Sequence, residues 1–218
     1  MHSRFKRAKL SCNAKRQLYI ARNLGNQNNI SAAFNSPAIE KQLVELKNRK
    51  EKNAFLESIM THPSAVVLNE TNGHKTILFA GNKGPKTITW KQTKQVACEL
   101  NRQGYDVAFL PELSSKSCAD SLVKKGKIYR IVDFKYCITK KANTLVLDLE
   151  HGFQQANTIV LKLERMDSGT LKDAINYLTR NDMALGNIIL INSYGQCLDF
   201  SRKALKTGIY SKAIKGFL

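Results

Sequence analysis

The sequence predicts a mixed α/β (α+β) fold: a sheet with both antiparallel and parallel strand pairs, flanked by helices, and preceded by a small helix–hairpin module. Three observations predict it. After residue 86, apolar spacing alternates between strand and helix periods in the order α-β-β-β-α-β-α-β-β. Short turns between neighbouring strands imply antiparallel hairpins, and a helix between two strands implies a parallel pair. The composition, 43% apolar and 24% charged over 218 residues, is that of a chain able to bury a full core.

Residues 1–35 read as a basic arm and linker. Arg4, Lys6, Arg7, Lys9, Lys15, Arg16 and Arg22 precede the first acid, Glu40, and residues 25–36 are rich in Asn, Gln and Ser. Ser36-Pro37 opens a helix, because Ser caps and Pro fits the first turn. Ile39, Leu43, Leu46, Phe55 and Ile59 give that helix its apolar stripe, and His62-Pro63 ends it. Strand-like runs at 65–70 and 75–80 flank Asn72-Gly73, a hairpin signal. Residues 36–85 therefore form the small module, closed by the break from Gly81 to Pro85.

Residues 86–200 form the main domain. Residues 90–103 are a helix with Trp90, Ala97 and Leu100 inward, closed by Gly104. Strands follow at 106–110, 120–123 and 128–136, the last two joined by Lys124-Lys125-Gly126-Lys127. Leu145, Leu149, Phe153 and Ala156 set a helix over 143–156. A strand at 158–163, a helix at 171–179 and a hairpin of 188–192 with 197–200 complete the order. Residues 201–218 carry Arg202, Lys203, Lys206, Lys212 and Lys215 with no acid, and read as a basic tail.

Charge narrows the function. Lys and Arg number 35 against 17 Asp and Glu, a net +18. Such a field attracts polyanions, and nucleic acid is the commonest. A membrane partner is not expected, because no apolar run approaches the ~20 residues of a span and no Lys-rich helix has an aromatic face. The basic N-terminus lacks the apolar stretch of a secretory signal, so the chain is expected in the cytosol. The cysteines at 12, 98, 118, 137 and 197 are odd in number and widely spaced, which argues for reduced thiols over a zinc ribbon or disulfide framework.

The chemistry-bearing stretch is Asp120 followed by Asp133-Phe134-Lys135. Strand alternation puts Asp133 and Lys135 on one face with Tyr129, and Val132, Phe134 and Tyr136 on the other. Pairing the two strands brings Asp120 toward Asp133. Two carboxylates and an ammonium suit metal-assisted phosphodiester cleavage, with oxygen ligands selecting Mg²⁺ or Mn²⁺, Zn²⁺ being a further candidate. Lys135 would orient the water or meet developing charge. Lys124, Lys125, Lys127 and Arg130 supply the basic surround for a nucleic-acid backbone. Taken alone, D-x-K is a weak pattern, commonly that of a solvated strand face or a cross-strand salt bridge.

The segment from about residue 87 to 200 resembles the PD-(D/E)xK nuclease superfamily. More narrowly, it is similar to the tRNA-cleaving C-terminal domains of contact-dependent growth-inhibition toxins and their mobile-element relatives. The resemblance rests on Gly104-Tyr105-Asp106-Val107, Leu110-Pro111-Glu112, Asp120, Asp133-Phe134-Lys135 and Gln154-Gln155-Ala156-Asn157 before Ile159-Val160-Leu161, with the Asn187–Ile191 strand and Gly195. It covers about half of the chain. It implies a restriction-endonuclease-like sheet and an endonuclease acting on RNA, tRNA ahead of DNA. Asp120, Asp133 and Glu112 would hold the metal, Lys135 and Gln155 would face the reaction, and Glu99 or Glu112 would take the place of the helix glutamate. It also implies an acidic immunity-type partner and delivery into a target cell. Three departures stand out: Ala119 replaces the usual proline, Asp133 the more usual Glu, and Gln92 and Gln95 occupy the matching helix turn. They leave a second reading, a degenerate nuclease fold that binds RNA or DNA without cleaving.

Overall fold

Two asparagines start the helices between residues 36 and 60. The computed structural model describes residues 32–79, 88–111, 119–138, 140–181 and 183–218. Asn35 caps α1 (Ser36–Glu45), its Oδ1 accepting from Ala38 N at 3.0 Å. Ser36, expected as the cap, lies inside the helix, and its Oγ accepts from Ala119 N at 3.0 Å. Asn48 caps α2 (Arg49–Met60) through Glu51 N, while Glu51 accepts in return from Lys47 N. The single helix expected to run to His62 is thus two. Leu46 adopts an extended conformation and buries its side chain at the break.

The expected hairpin forms from β1 (Ala65–Thr71) and β2 (His74–Phe79). Asn72 and Gly73 both take positive φ, 54° and 78°, the geometry that makes Asn-Gly a tight-turn signal. Beyond it come α3 (Ile88–Arg102), β3 (Asp106–Phe109), β4 (Ser121–Lys125), β5 (Ile128–Cys137), α4 (Ala142–Gln155), β6 (Thr158–Leu163), α5 (Ser168–Arg180), β7 (Asn187–Ile191) and β8 (Cys197–Phe200). This is the order the sequence predicts for residues 86–200.

One eight-stranded mixed sheet runs β1 to β8 in chain order. β2–β3, β5–β6 and β6–β7 are parallel pairs, and the other neighbours are antiparallel. Thr76, Ile77 and Leu78 pair with Val107, Ala108 and Phe109, so the hairpin of the expected small module extends the sheet of the main domain.

Helices cover both faces. α3 packs Val96, Ala97 and Leu100 against Val107, Val123, Val132, Val160 and Ile189. On the opposite face, α1 and α2 cover β2–β4 through Ile39, Phe55, Ile59, Ile77 and Leu122. There too, α4 and α5 cover β5–β7 through Leu145, Leu149, Ile175, Ile159 and Ile188. β6, an interior strand with parallel neighbours on both sides and apolar Ile159, Val160 and Leu161, is buried along its whole length. Residues 201–218 fold back rather than trail away: α6 (Arg202–Lys206) and α7 (Tyr210–Ile214) bury Leu205, Tyr210 and Ile214 against the α4 side. No helix among the described residues is long and apolar enough to cross a membrane. The basic arm up to residue 31, the break at 81–85 and Glu112 lie outside the described residues.

Candidate active site

The strand pairing that positions the site is Ser121 opposite Val132. Asp120 is the residue before β4 and Asp133 the one after Val132, so register sets the two acids side by side. Alternation turns Asp133 and Lys135 toward α4, because Val132 and Phe134 face α3. Lys135 Nζ lies 2.8 Å from Asp133 Oδ2. Asp120 Oδ2 accepts from Phe134 N at 2.8 Å, which fixes its carboxyl against β5 where β4 has ended.

α4 closes over the pair, and an interior glycine makes this possible. A Cβ on Gly152 would stand 2.8 Å from Ile159 Cδ1 and 3.1 Å from Asp133 Oδ2. Asp133 is 1% exposed. Burial, then the charge of Asp133, pushes Asp120 up to about 7, and a side-chain hydrogen bond between the two keeps a proton there. Burial also raises Asp133, against the lowering influence of Lys135.

A cleft of about 290 Å³ opens beside Lys135, between the start of α3 and α4. Gln92 and Thr93 of α3, Phe134, Lys135 and Tyr136 of β5, and Asp148 of α4 line it. Burial raises Asp148, and Lys135 and His151 oppose that rise, so Lys135 has a second carboxylate within electrostatic reach. Gln155, half-buried at the end of α4, shares a helix face with Asp148 and Gly152.

Glu99, the candidate for the helix glutamate, is not brought to this site. It lies on α3, across the sheet from Asp133, and its Oε1 accepts from Lys162 Nζ at 3.0 Å. Lys162 is 1% exposed and donates as well to Asn192 O at 2.6 Å. A buried ammonium needs such partners, and Glu99 is committed to supplying one. Glu112 lies outside the described residues.

The hairpin cations also sit elsewhere. Lys124, on the α2 side, pairs with Glu57 at 2.9 Å, and Tyr129 donates its hydroxyl hydrogen to the same carboxylate. Burial pushes Glu57 up, but the bonds from Tyr129 and Lys124 outweigh it and leave the carboxyl below its ordinary range. Arg130 pairs with Asp199 at 2.7 Å, and Lys125 stands 4.5 Å above the Tyr105 ring, both on the α3 side. Lys127 is exposed in the turn.

Asp148 and Gly152 are the residues that sequence reasoning passed over. Their signals were present: Asp148 and Gln155 stand seven apart on one helix face, and an interior helix glycine marks a close approach. Cys98, Cys137 and Cys197 form no disulfide with one another, and burial pushes the Cys197 thiol up to about 12.

No protein-family model matches the chain, and no curated protein does. Among solved structures, a chain of the CdiA-CT/CdiI toxin and immunity complex from Burkholderia pseudomallei is similar at 19% identity and a TM-score of 0.44, over 58% of this chain and 98% of that one.

Proposed function

We propose that this chain is a metal-dependent endonuclease of the PD-(D/E)xK type, a toxin-like RNase that takes tRNA ahead of DNA. The observation that carries the reading is the convergence of Asp120 and Asp133, from two paired strands, beside Lys135. The net charge of +18 supports a polyanionic substrate, and an acidic immunity-type protein would answer the same charge.

The donor set fits a hard divalent ion. Two adjacent carboxylates, one held protonated by burial and by its neighbour, are a pair that a cation relieves. Among the described residues no group of three or more His, Cys, Asp or Glu could hold a metal ion. Mg²⁺ and Mn²⁺ bind through one or two carboxylates, waters and substrate phosphate, whereas Zn²⁺ favours His and Cys. Asp120 and Asp133 would hold the ion. When bound, it would polarise the phosphate and lower the pKa of a water.

The chain's own groups do the rest. Phe134 N–H fixes the Asp120 carboxyl. Lys135, anchored on Asp133 and lining the cleft, orients the attacking water and meets charge developing on the phosphate. Gly152 lets α4 close over Asp133 and excludes bulk water from it.

Total tRNA and plasmid DNA incubated with the protein in Mg²⁺, Mn²⁺ or EDTA test the reading. Cleavage should need the metal and vanish in Asp133→Ala and Lys135→Ala proteins that melt as folded chains. Cleavage that survives both substitutions, or that proceeds in EDTA, refutes it. The commitment of Glu99 to Lys162 favours a second reading, a nuclease fold that binds without cleaving. Salt-sensitive binding with no cleavage in any metal would select it.

A further inference from the structure

The cleft beside Lys135 is more than an approach to the carboxylates. Its walls are aromatic and anchored. Phe134 meets Phe109 edge-on at 6.1 Å, and Phe109 meets Trp90 at 4.8 Å. Tyr136 donates its hydroxyl hydrogen to Glu164 Oε1 at 2.9 Å. Glu164 in turn lies 3.6 Å from Lys162 Nζ, which is held by Glu99 and by Asn192 O. The buried network on the α3 side, which the hydrolytic reading leaves unused, thereby fixes the orientation of a cleft wall. A rigid aromatic surface loses little entropy when a planar ring stacks on it.

The rim carries the complementary groups. Gln92 offers an amide donor and acceptor, Thr93 a hydroxyl and Asp148 a carboxylate, the functions that read a base edge. Lys135 stands at the boundary between this cleft and Asp133. About 290 Å³ is the scale of one base and its sugar.

We infer that this cleft is a subsite for one unpaired nucleobase, placed so that the phosphate next to that base lies at Lys135. The inference rests on the proposed nuclease reading and sharpens it: the substrate is single-stranded or looped nucleic acid, cut beside a base drawn out of its stack. The phosphate lies at Lys135 and the base along Phe134 and Tyr136.

The test is binding in EDTA, where metal-dependent cleavage plays no part. Fluorescently labelled single-stranded hexanucleotides, in ribose and deoxyribose forms, are titrated against hexamers of abasic units with the same number of phosphates. The base-bearing hexamer should bind about ten-fold more tightly in at least one sugar series, the scale expected for one stacked base. Tyr136→Ala and Gln92→Ala should each shrink that ratio, and Tyr136→Phe, which keeps the ring but loses its tie to Glu164, should shrink it less than Tyr136→Ala, with melting curves showing all three folded. A duplex should not compete for the base-dependent part. Equal binding of base-bearing and abasic hexamers in both series, or a ratio unmoved by Tyr136→Ala and Gln92→Ala, overturns the subsite. A base preference without metal-dependent cleavage would keep the subsite and sink the hydrolytic reading. Cleavage without base preference would do the reverse.

Discussion

Two acid–lysine pairs, alike in chemistry, lie on opposite faces of one sheet, their lysines on the neighbouring strands β5 and β6. Glu99–Lys162 is sealed: the lysine is 1% exposed, its carboxylate partner 6%, and a backbone carbonyl takes a further N–H. Asp133–Lys135 is open on one side. The side chain of Lys135 is 20% exposed and borders a cleft, and a second acid, Asp120, is forced against the first. The difference teaches how to tell architecture from a site. A buried charge whose partners are all supplied by the protein holds the fold together. A buried charge left with surplus like charge and a way out to solvent is held ready for something that comes from outside.

The largest effect should come from the sealed pair. Lys162→Met should cost about 3–5 kcal/mol in urea unfolding, because Glu99 stays buried without its cation. The same change at Lys135 should cost no more than about 2 kcal/mol, since Asp133 can share a proton with Asp120, yet it should lower single-turnover tRNA cleavage by about 10²–10³-fold. Equal stability losses would erase the distinction. Gly152→Ala comes next, at about 1–3 kcal/mol in the same unfolding assay, as the new methyl meets Ile159 and Asp133.

Acidity gives a finer test. Asp120 titrates near 3.8 when unfolded and near 7 in the fold. Its contribution to stability is therefore complete below about pH 4 and is lost as pH rises through about 7. Without divalent ions, the melting temperature should fall between pH 5 and pH 8, and Asp120→Asn should flatten that fall. A slope unchanged by Asp120→Asn would place the titration elsewhere. The smallest effect belongs to a surface pair: Lys124→Ala should cost about 1 kcal/mol or less by thermal melting, because Glu57 stays partly hydrated.

The sheet was legible because its signals are local. Asn72-Gly73, the alternation around Asp133 and the apolar Ile159-Val160-Leu161 run of β6 each act within a few residues, and every strand and helix of residues 86–200 appears in the expected order. What was illegible depends on distant partners. Nothing near Glu99 announces Lys162, which is 63 positions away, and nothing near Lys124 announces Glu57. The break between α1 and α2 turns on Asn48 serving as a cap, a role that a polar residue in a lysine-rich helix does not advertise. The docking of residues 201–218 rests on Leu205, Tyr210 and Ile214, whose spacing is masked by the five cations around them.

Direct titration of the metal-free protein with Mn²⁺, followed by electron paramagnetic resonance at pH 8, reaches the central claim without any substrate. One ion should bind per wild-type chain and be lost in both Asp120→Asn and Asp133→Asn, while the Glu57→Gln chain binds as the wild type does. Mn²⁺ binding that persists in both aspartate variants, or no binding to the wild type, would contradict that claim.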